Sequence, residues 1–128
     1  MRKYPPMHIK RSDTVPSFAS PHGELVFELI GERMGAVNSH SVAQIVLPYG
    51  KASRKHYHPE AEESYYVLAG RGRVVLDGEE QKVMAGDTVW IPPGVVHQIF
   101  NTGHQQENLI FLAVCIPAWT PDNSVFLD

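Results

Sequence analysis

Val74-Val75-Leu76-Asp77-Gly78-Glu79-Glu80-Gln81-Lys82-Val83-Met84 is the stretch that decides the fold. Two strand-like runs, 73–76 and 80–84, flank Asp77-Gly78. Asp-Gly favours two consecutive positive φ angles, and so a two-residue type I′ turn whose twist suits antiparallel strands. Immediately downstream, Gly86-Asp87 and Pro92-Pro93-Gly94 bracket another short run, 88–91. The same punctuation continues outward in both directions. Runs at 24–30, 41–47, 54–58, 63–69, 95–101 and 108–116 alternate or are short and apolar, and turn residues separate them. Each is too short for a good helix, and the breakers recur too often to leave room for one. The fold class expected is all-β. Eight or nine antiparallel strands in ~100 residues must pair or close their sheets to hide the edges, which leaves a β-sandwich, a jelly roll or a small barrel.

The chain has 128 residues, with 11 Lys and Arg against 14 Asp and Glu for a formal charge of −3. That length fits one domain, since domains cluster near ~100–150 residues. Residues 1–23 hold Pro5, Pro6, Pro16 and Pro21 and read as an irregular arm. Residues 24–117 form the β domain and 118–128 a tail. The single cysteine excludes an intrachain disulfide framework. The slightly acidic balance argues against a nucleic-acid partner. The basic N-terminus, Met1-Arg2-Lys3, is not followed by an apolar run, and no stretch has the ~20 apolar residues of a membrane span. The expected location is the cytoplasm.

Seven histidines are the compositional outlier. His56-Tyr57-His58 lies in a strand-like run, and alternate strand residues share a face, so the two imidazoles point the same way roughly 6.5–7 Å apart. Glu62-Glu63 follows the Pro59-Glu60-Ala61 turn; if these runs form a hairpin, one carboxylate lies opposite the histidine pair. His97 opens a third strand after the Pro92-Pro93-Gly94 turn. Three nitrogens and one oxygen suit Mn, Fe, Co, Ni, Cu or Zn, whereas Ca and Mg prefer all-oxygen sites. His8, His22, His40 and His104 lack partners at such spacing and read as surface or loop residues.

These residues carry a resemblance. Gly50-x5-His56-x-His58-x4-Glu63-x6-Gly70 matches the first cupin motif, and Gly86-x5-Pro92-x-Gly94-x2-His97-x3-Asn101 matches the second, across a short segment, 71–85. The chain resembles a small single-domain cupin, with motif 1 at 50–70 and motif 2 at 86–101. The resemblance implies a jelly-roll β-barrel with one divalent transition metal in its mouth. It also implies that His56, His58, Glu63 and His97 are the ligands. Glu62 is the alternative oxygen, but only Glu63 keeps six residues before Gly70. Gly50, Gly70, Gly86, Pro92 and Gly94 are implied to be turn residues, with Asn101 hydrogen-bonding a turn. Cupins commonly dimerise, so a homodimer is expected, its contacts supplied by the arm or by the tail and its aromatics Trp119 and Phe126, with Trp90 a further exposed candidate.

Strand parity extends the site. Arg54 shares the face of His56 and His58 and could meet an anion near the mouth. Tyr65 shares the face of Glu63 and is a candidate hydrogen-bonding or acid–base group. Gln44 is polar within the apolar run 41–47 and is a candidate partner of a ligand side chain. Cys115 reads as a small buried core residue. Two functions follow. One is a metalloenzyme acting on a small polar metabolite by isomerase, dioxygenase, decarboxylase or lyase chemistry. The other is a non-catalytic module that binds or senses a small molecule. No helix-turn-helix pattern accompanies the barrel, which disfavours a transcription regulator.

Overall fold

The computed structural model describes residues 7–21 and 23–128; Met1 to Pro6 and His22 lie outside the described residues. In chain order the strands are β1 (Phe18–Ala19), β2 (Leu25–Ile30), β3 (Ser41–Leu47), β4 (His56–Tyr57), β5 (Glu62–Ala69), β6 (Arg71–Leu76), β7 (Glu79–Met84), β8 (Thr88–Ile91), β9 (His97–Asn101), β10 (Leu109–Ile116) and β11 (Val125–Phe126). No helix occurs among the described residues. Six strands form one antiparallel sheet in the order β1-β2-β3-β10-β5-β8, and five form the other in the order β11-β4-β9-β6-β7.

The deciding hairpin forms as its sequence demands. Asp77 and Gly78 take φ of 49° and 83°, and Leu76 pairs with Glu79 across them. In the six-stranded sheet the alternation sends one row of side chains inward. Ser41, Ala43, Ile45 and Leu47 of β3 are buried while Val42, Gln44 and Val46 between them are only partly covered. Phe111, Ala113 and Cys115 on β10 and Glu63, Tyr65 and Val67 on β5 do the same. They meet Val74, Val83 and Ile99 of the other sheet, and Leu47, Ile91, Ile99, Leu109 and Phe111 are almost wholly buried. Removing this apolar surface from water is the main term that holds two curved sheets face to face.

Two segments expected to be irregular carry strand structure. Phe18 of the arm pairs with Val26, and Phe126 of the tail pairs with His56. Both strands have two residues, and both depend on register with a distant neighbour, so no local pattern announces them. The conditional hairpin between the histidine run and the glutamate run does not form. β4 belongs to the five-stranded sheet and β5 to the six-stranded one, so the chain changes sheets at residues 58–61. Glu63 therefore reaches the histidines across the interior of the sandwich rather than along a ladder.

Candidate metal centre and adjoining cavity

His56 and His97 face each other as a register pair on β4 and β9, with ring centroids 4.3 Å apart. His58 follows two residues on, its ring 5.1 Å from His56 and 5.4 Å from His97. One ring nitrogen of each of the three falls within 4.8 Å of those of the other two, and all three residues are buried. Glu63 sits opposite, its Oε1 3.4 Å from His58 Nε2 and 3.3 Å from His97 Nε2. Adjacent ligands on bonds of ~2.1 Å lie roughly 3.0–3.4 Å apart, so these separations suit a shared ion.

The hydrogen bonds decide what the inner nitrogens are. His56 Nδ1 donates to the Arg54 carbonyl at 2.6 Å, His58 Nδ1 to the Asn123 carbonyl at 3.0 Å and His97 Nδ1 to the Val95 carbonyl at 2.9 Å. A carbonyl only accepts, so each Nδ1 carries the proton and a neutral ring presents a bare lone pair at Nε2. Three lone pairs thus converge with a carboxylate oxygen, an arrangement of acceptors that a cation resolves. The donor set fits a borderline transition metal. Burial and the neighbouring histidines hold His56 down at about 4, which keeps it neutral. Burial would lower His58 too, but the Glu63 carboxylate beside it raises it. Burial would raise Glu63, yet His58 and His97 outweigh it and hold that carboxyl well below the usual range.

The motif glycines and Asn101 aim these strands. Gly50, Gly70, Gly86 and Gly94 all have positive φ, and the Gly94 amide donates to the His58 carbonyl at 2.8 Å, tying the second motif to the first. Asn101 Nδ2 donates to the Leu47 and Glu107 carbonyls while its Oδ1 accepts the Gly103 amide, closing the turn after β9.

The sequence-derived candidates divide. Tyr65 lies in the interior beside Glu63, its ring 6.4 Å from His97, and burial and the Glu63 carboxylate push its hydroxyl well above its ordinary range. Arg54 is turned to the tail: Nε reaches Asp128 Oδ1 at 3.2 Å, and its guanidinium lies 3.9 Å over the Phe126 ring. Gln44 is not near the site; it projects from the outer face of β3, opposite Phe27 and Leu112. Glu62 also faces outward, where its Oε1 accepts Trp90 Nε1 at 2.8 Å, so Glu63 is the carboxylate of the pair that lies beside the histidines. His8 bonds the Leu29 carbonyl, His40 bonds Ser39, and His104 is exposed.

Three contributors were missed. Cys115 is more than core: its thiol, held protonated by burial and by Glu63, donates to Glu63 Oε2 at 3.2 Å and leaves Oε1 turned to the histidines. The tail supplies the Asn123 carbonyl that orients His58 and lays Phe126 5.9 Å from His56. Glu24, just before β2, is buried; its burial and the Glu63 charge raise its carboxyl to about 8. Only Glu24 left a sequence signal, a lone acid ahead of an apolar run. The tail aromatics also make contacts within the chain, Trp119 stacking on Phe18 at 5.8 Å.

Beside the centre, a cavity of about 40 Å³ opens between the inner face of the six-stranded sheet and the segment around Ser20 and Glu24. Glu63 and Tyr65 line it, so a bound molecule could reach from the cavity to the centre.

Comparison with known proteins agrees with this construction. A protein of Methanocaldococcus jannaschii without assigned function is 31% identical over 91% of each chain. An oxalate-binding protein of Thermotoga maritima is 38% identical over 58% of this chain and 60% of its own. The crystal structure of a predicted oxalate decarboxylase from Thermotoga maritima superposes with a TM-score of 0.75 at 29% identity, over 87% of this chain and 99% of that one. The family model described as the cupin domain matches residues 43–115, from β3 through β10 and so through both histidine strands and Glu63, and with that match this chain belongs to the cupin family.

Proposed function

We propose that this protein is a metal-dependent enzyme acting on a small polar molecule, with His56, His58 and His97 as nitrogen ligands and Glu63 as the oxygen ligand of one divalent transition metal. The observation that carries the reading is the commitment of all three Nδ1 protons to backbone carbonyls, which aims the inner lone pairs at the Glu63 carboxylate. When bound, such an ion supplies Lewis-acid polarisation of a substrate oxygen. The chain's own residues do the rest. Cys115 fixes the Glu63 carboxylate by a hydrogen bond to its far oxygen. Tyr65, neutral at any physiological pH, offers a donor on the cavity wall beside it. The apolar sheets around the site keep bulk water out, which strengthens every such interaction.

The test is elemental analysis of purified protein. One transition metal per chain is expected, and none in His97→Ala; a His97→Ala variant that keeps full metal content would overturn the ligand assignment. A non-catalytic binding role is the second reading, favoured by the likeness to the oxalate-binding protein. Metal-dependent turnover of a substrate decides for the enzyme, and tight binding without turnover decides for the module.

A homodimer belongs to the same reading, through the outer face of the six-stranded sheet. Leu25, Tyr66, Leu68, Trp90 and Ile116 are 39–61% exposed on it. At ~150–250 Å² for a whole large side chain they expose on the order of 500 Å² together. Phe27, Val46, Leu112 and Val114 fill the spaces between them. The sum approaches the roughly 800 Å² per partner of a stable interface. The only charged group in the strand rows of this face is Glu62, which is bonded to Trp90. An uncharged surface is self-complementary, which fits a second copy related by a twofold axis.

A further inference from the structure

Three carboxyl groups, Glu24, Glu28 and Glu63, stand on the wall of the cavity beside the metal centre, with the hydroxyls of Ser41 and Tyr65 and the apolar Phe111. Among the described residues lining it there is no lysine, arginine or histidine. Two of the acids already serve other groups. Glu63 meets His58, His97 and Cys115. Glu28 Oε2 accepts the Arg33 and Met34 amides and so caps the turn after β2. Glu24 differs. It lines the cavity at 7% exposure, and its Oε1 is fully buried with no hydrogen-bond partner, a state shared among these acids by Glu63 Oε1, which instead faces the histidine nitrogens. A buried carboxyl oxygen without a partner costs stability, and such groups in native proteins call for a reason. A ligand that bonds it is one.

We propose that this cavity binds a small, uncharged, hydroxyl-bearing molecule, with the Glu24 carboxyl as its hydrogen-bonding anchor, and that the same wall turns away carboxylate and phosphate ligands. A hydroxyl both donates and accepts, so it satisfies a carboxyl in either protonation state. An anion entering the cavity loses its hydration against acids, with no lysine, arginine or histidine among the described lining residues to compensate. The rise of the Glu24 carboxyl to about 8 agrees, since a protonated acid at neutral pH offers a donor as well. Phe111 and Trp119 supply apolar surface for the carbon frame of a polyol. The inference deepens the proposed function and rests on it only in placing the ligand's far end at Glu63. It sets this chain apart from the oxalate ligands that the names of its Thermotoga relatives carry.

The test uses full-length protein, zinc-loaded and metal-free, titrated with erythritol, oxalate and inorganic phosphate and followed by protein-observed NMR. Zinc stoichiometry is measured separately. Erythritol is expected to shift the amides of Ser41, Ala113 and Cys115 and the Trp119 indole, and in metal-free protein to bind at least about tenfold tighter than either anion. Glu24→Leu should weaken erythritol by about tenfold or more, while Glu24→Gln, which keeps a donor and an acceptor, stays within about threefold. Oxalate or phosphate binding the metal-free cavity more tightly than erythritol overturns the proposal. So does erythritol that leaves these signals unmoved, or a folded Glu24→Leu variant with unchanged affinity. Should Glu24→Leu fail to fold, the ranking of the three ligands and the Glu24→Gln value still decide. Absence of zinc binding would instead sink the metal reading and leave the metal-free arm standing.

Discussion

Glu24→Gln should make the metal-free protein more stable at alkaline pH, and the gain should vanish in acid. The Glu24 carboxyl titrates near 8 in the folded chain against 4.5 as a model carboxyl, chiefly because burial disfavours its charged form and secondarily because Glu63 lies near. The folded state thus holds a proton that the unfolded chain has released throughout that interval. The corresponding stability is fully present below pH 4.5 and is lost as pH rises through about 8. At ~1.4 kcal/mol per pH unit the loss amounts to at most about 5 kcal/mol. Against a typical total of ~5–15 kcal/mol that is a large share. Glutamine is nearly the same shape and never ionises, so it removes the loss and leaves the cavity filled. Urea unfolding of chelator-treated wild type and variant at pH 5, 7 and 9 measures the difference directly. The two curves should nearly meet at pH 5 and part by several kcal/mol at pH 9, with the variant above. Curves that run parallel from pH 5 to pH 9 would refute the assignment of a proton to buried Glu24.

Four further outcomes follow from the geometry. Truncation before Asn123 removes the carbonyl that orients His58, and should weaken zinc binding by ~10–100-fold in a competition titration while the six-stranded sheet stays folded. Cys115→Ala frees Glu63 Oε2 and should cost about tenfold in zinc affinity, with Cys115→Ser close to wild type. Asn101→Ala strands the Leu47 and Glu107 carbonyls, both satisfied by Nδ2, and should lower stability by about 2–4 kcal/mol in thermal unfolding. Leu112→Glu puts a charge at the centre of the outer apolar face and should shift the protein from dimer to monomer in light scattering; a wild type that is monomeric at tens of micromolar would dispose of that interface.

What could be read in the sequence is what short-range rules control. The alternation of β3 and β10, the positive-φ pair at Asp77-Gly78 and the spacing of the two histidine motifs are local, and the structure places them where the pattern requires. What could not be read depends on register between distant strands. Cys115 meets Glu63 because β10 and β5 pair with those two residues in one row, with Ser41 next in line on β3. No spacing along the chain encodes that row. The conditional hairpin failed for a related reason: the Pro59-Glu60-Ala61 turn is compatible with a tight return or with a change of sheet, and the pairing partners of β4 and β5 decide between them. Glu24 and the tail were missed because their roles come from what closes over them. The ligand side chains are therefore held on local motifs, whereas the groups that orient them, Asn123 and Cys115, arrive by long-range pairing. That division predicts how the site fails. Damage far along the chain from the motifs should disturb ligand orientation before it disturbs the fold, and the truncation and Cys115 variants above separate those two effects.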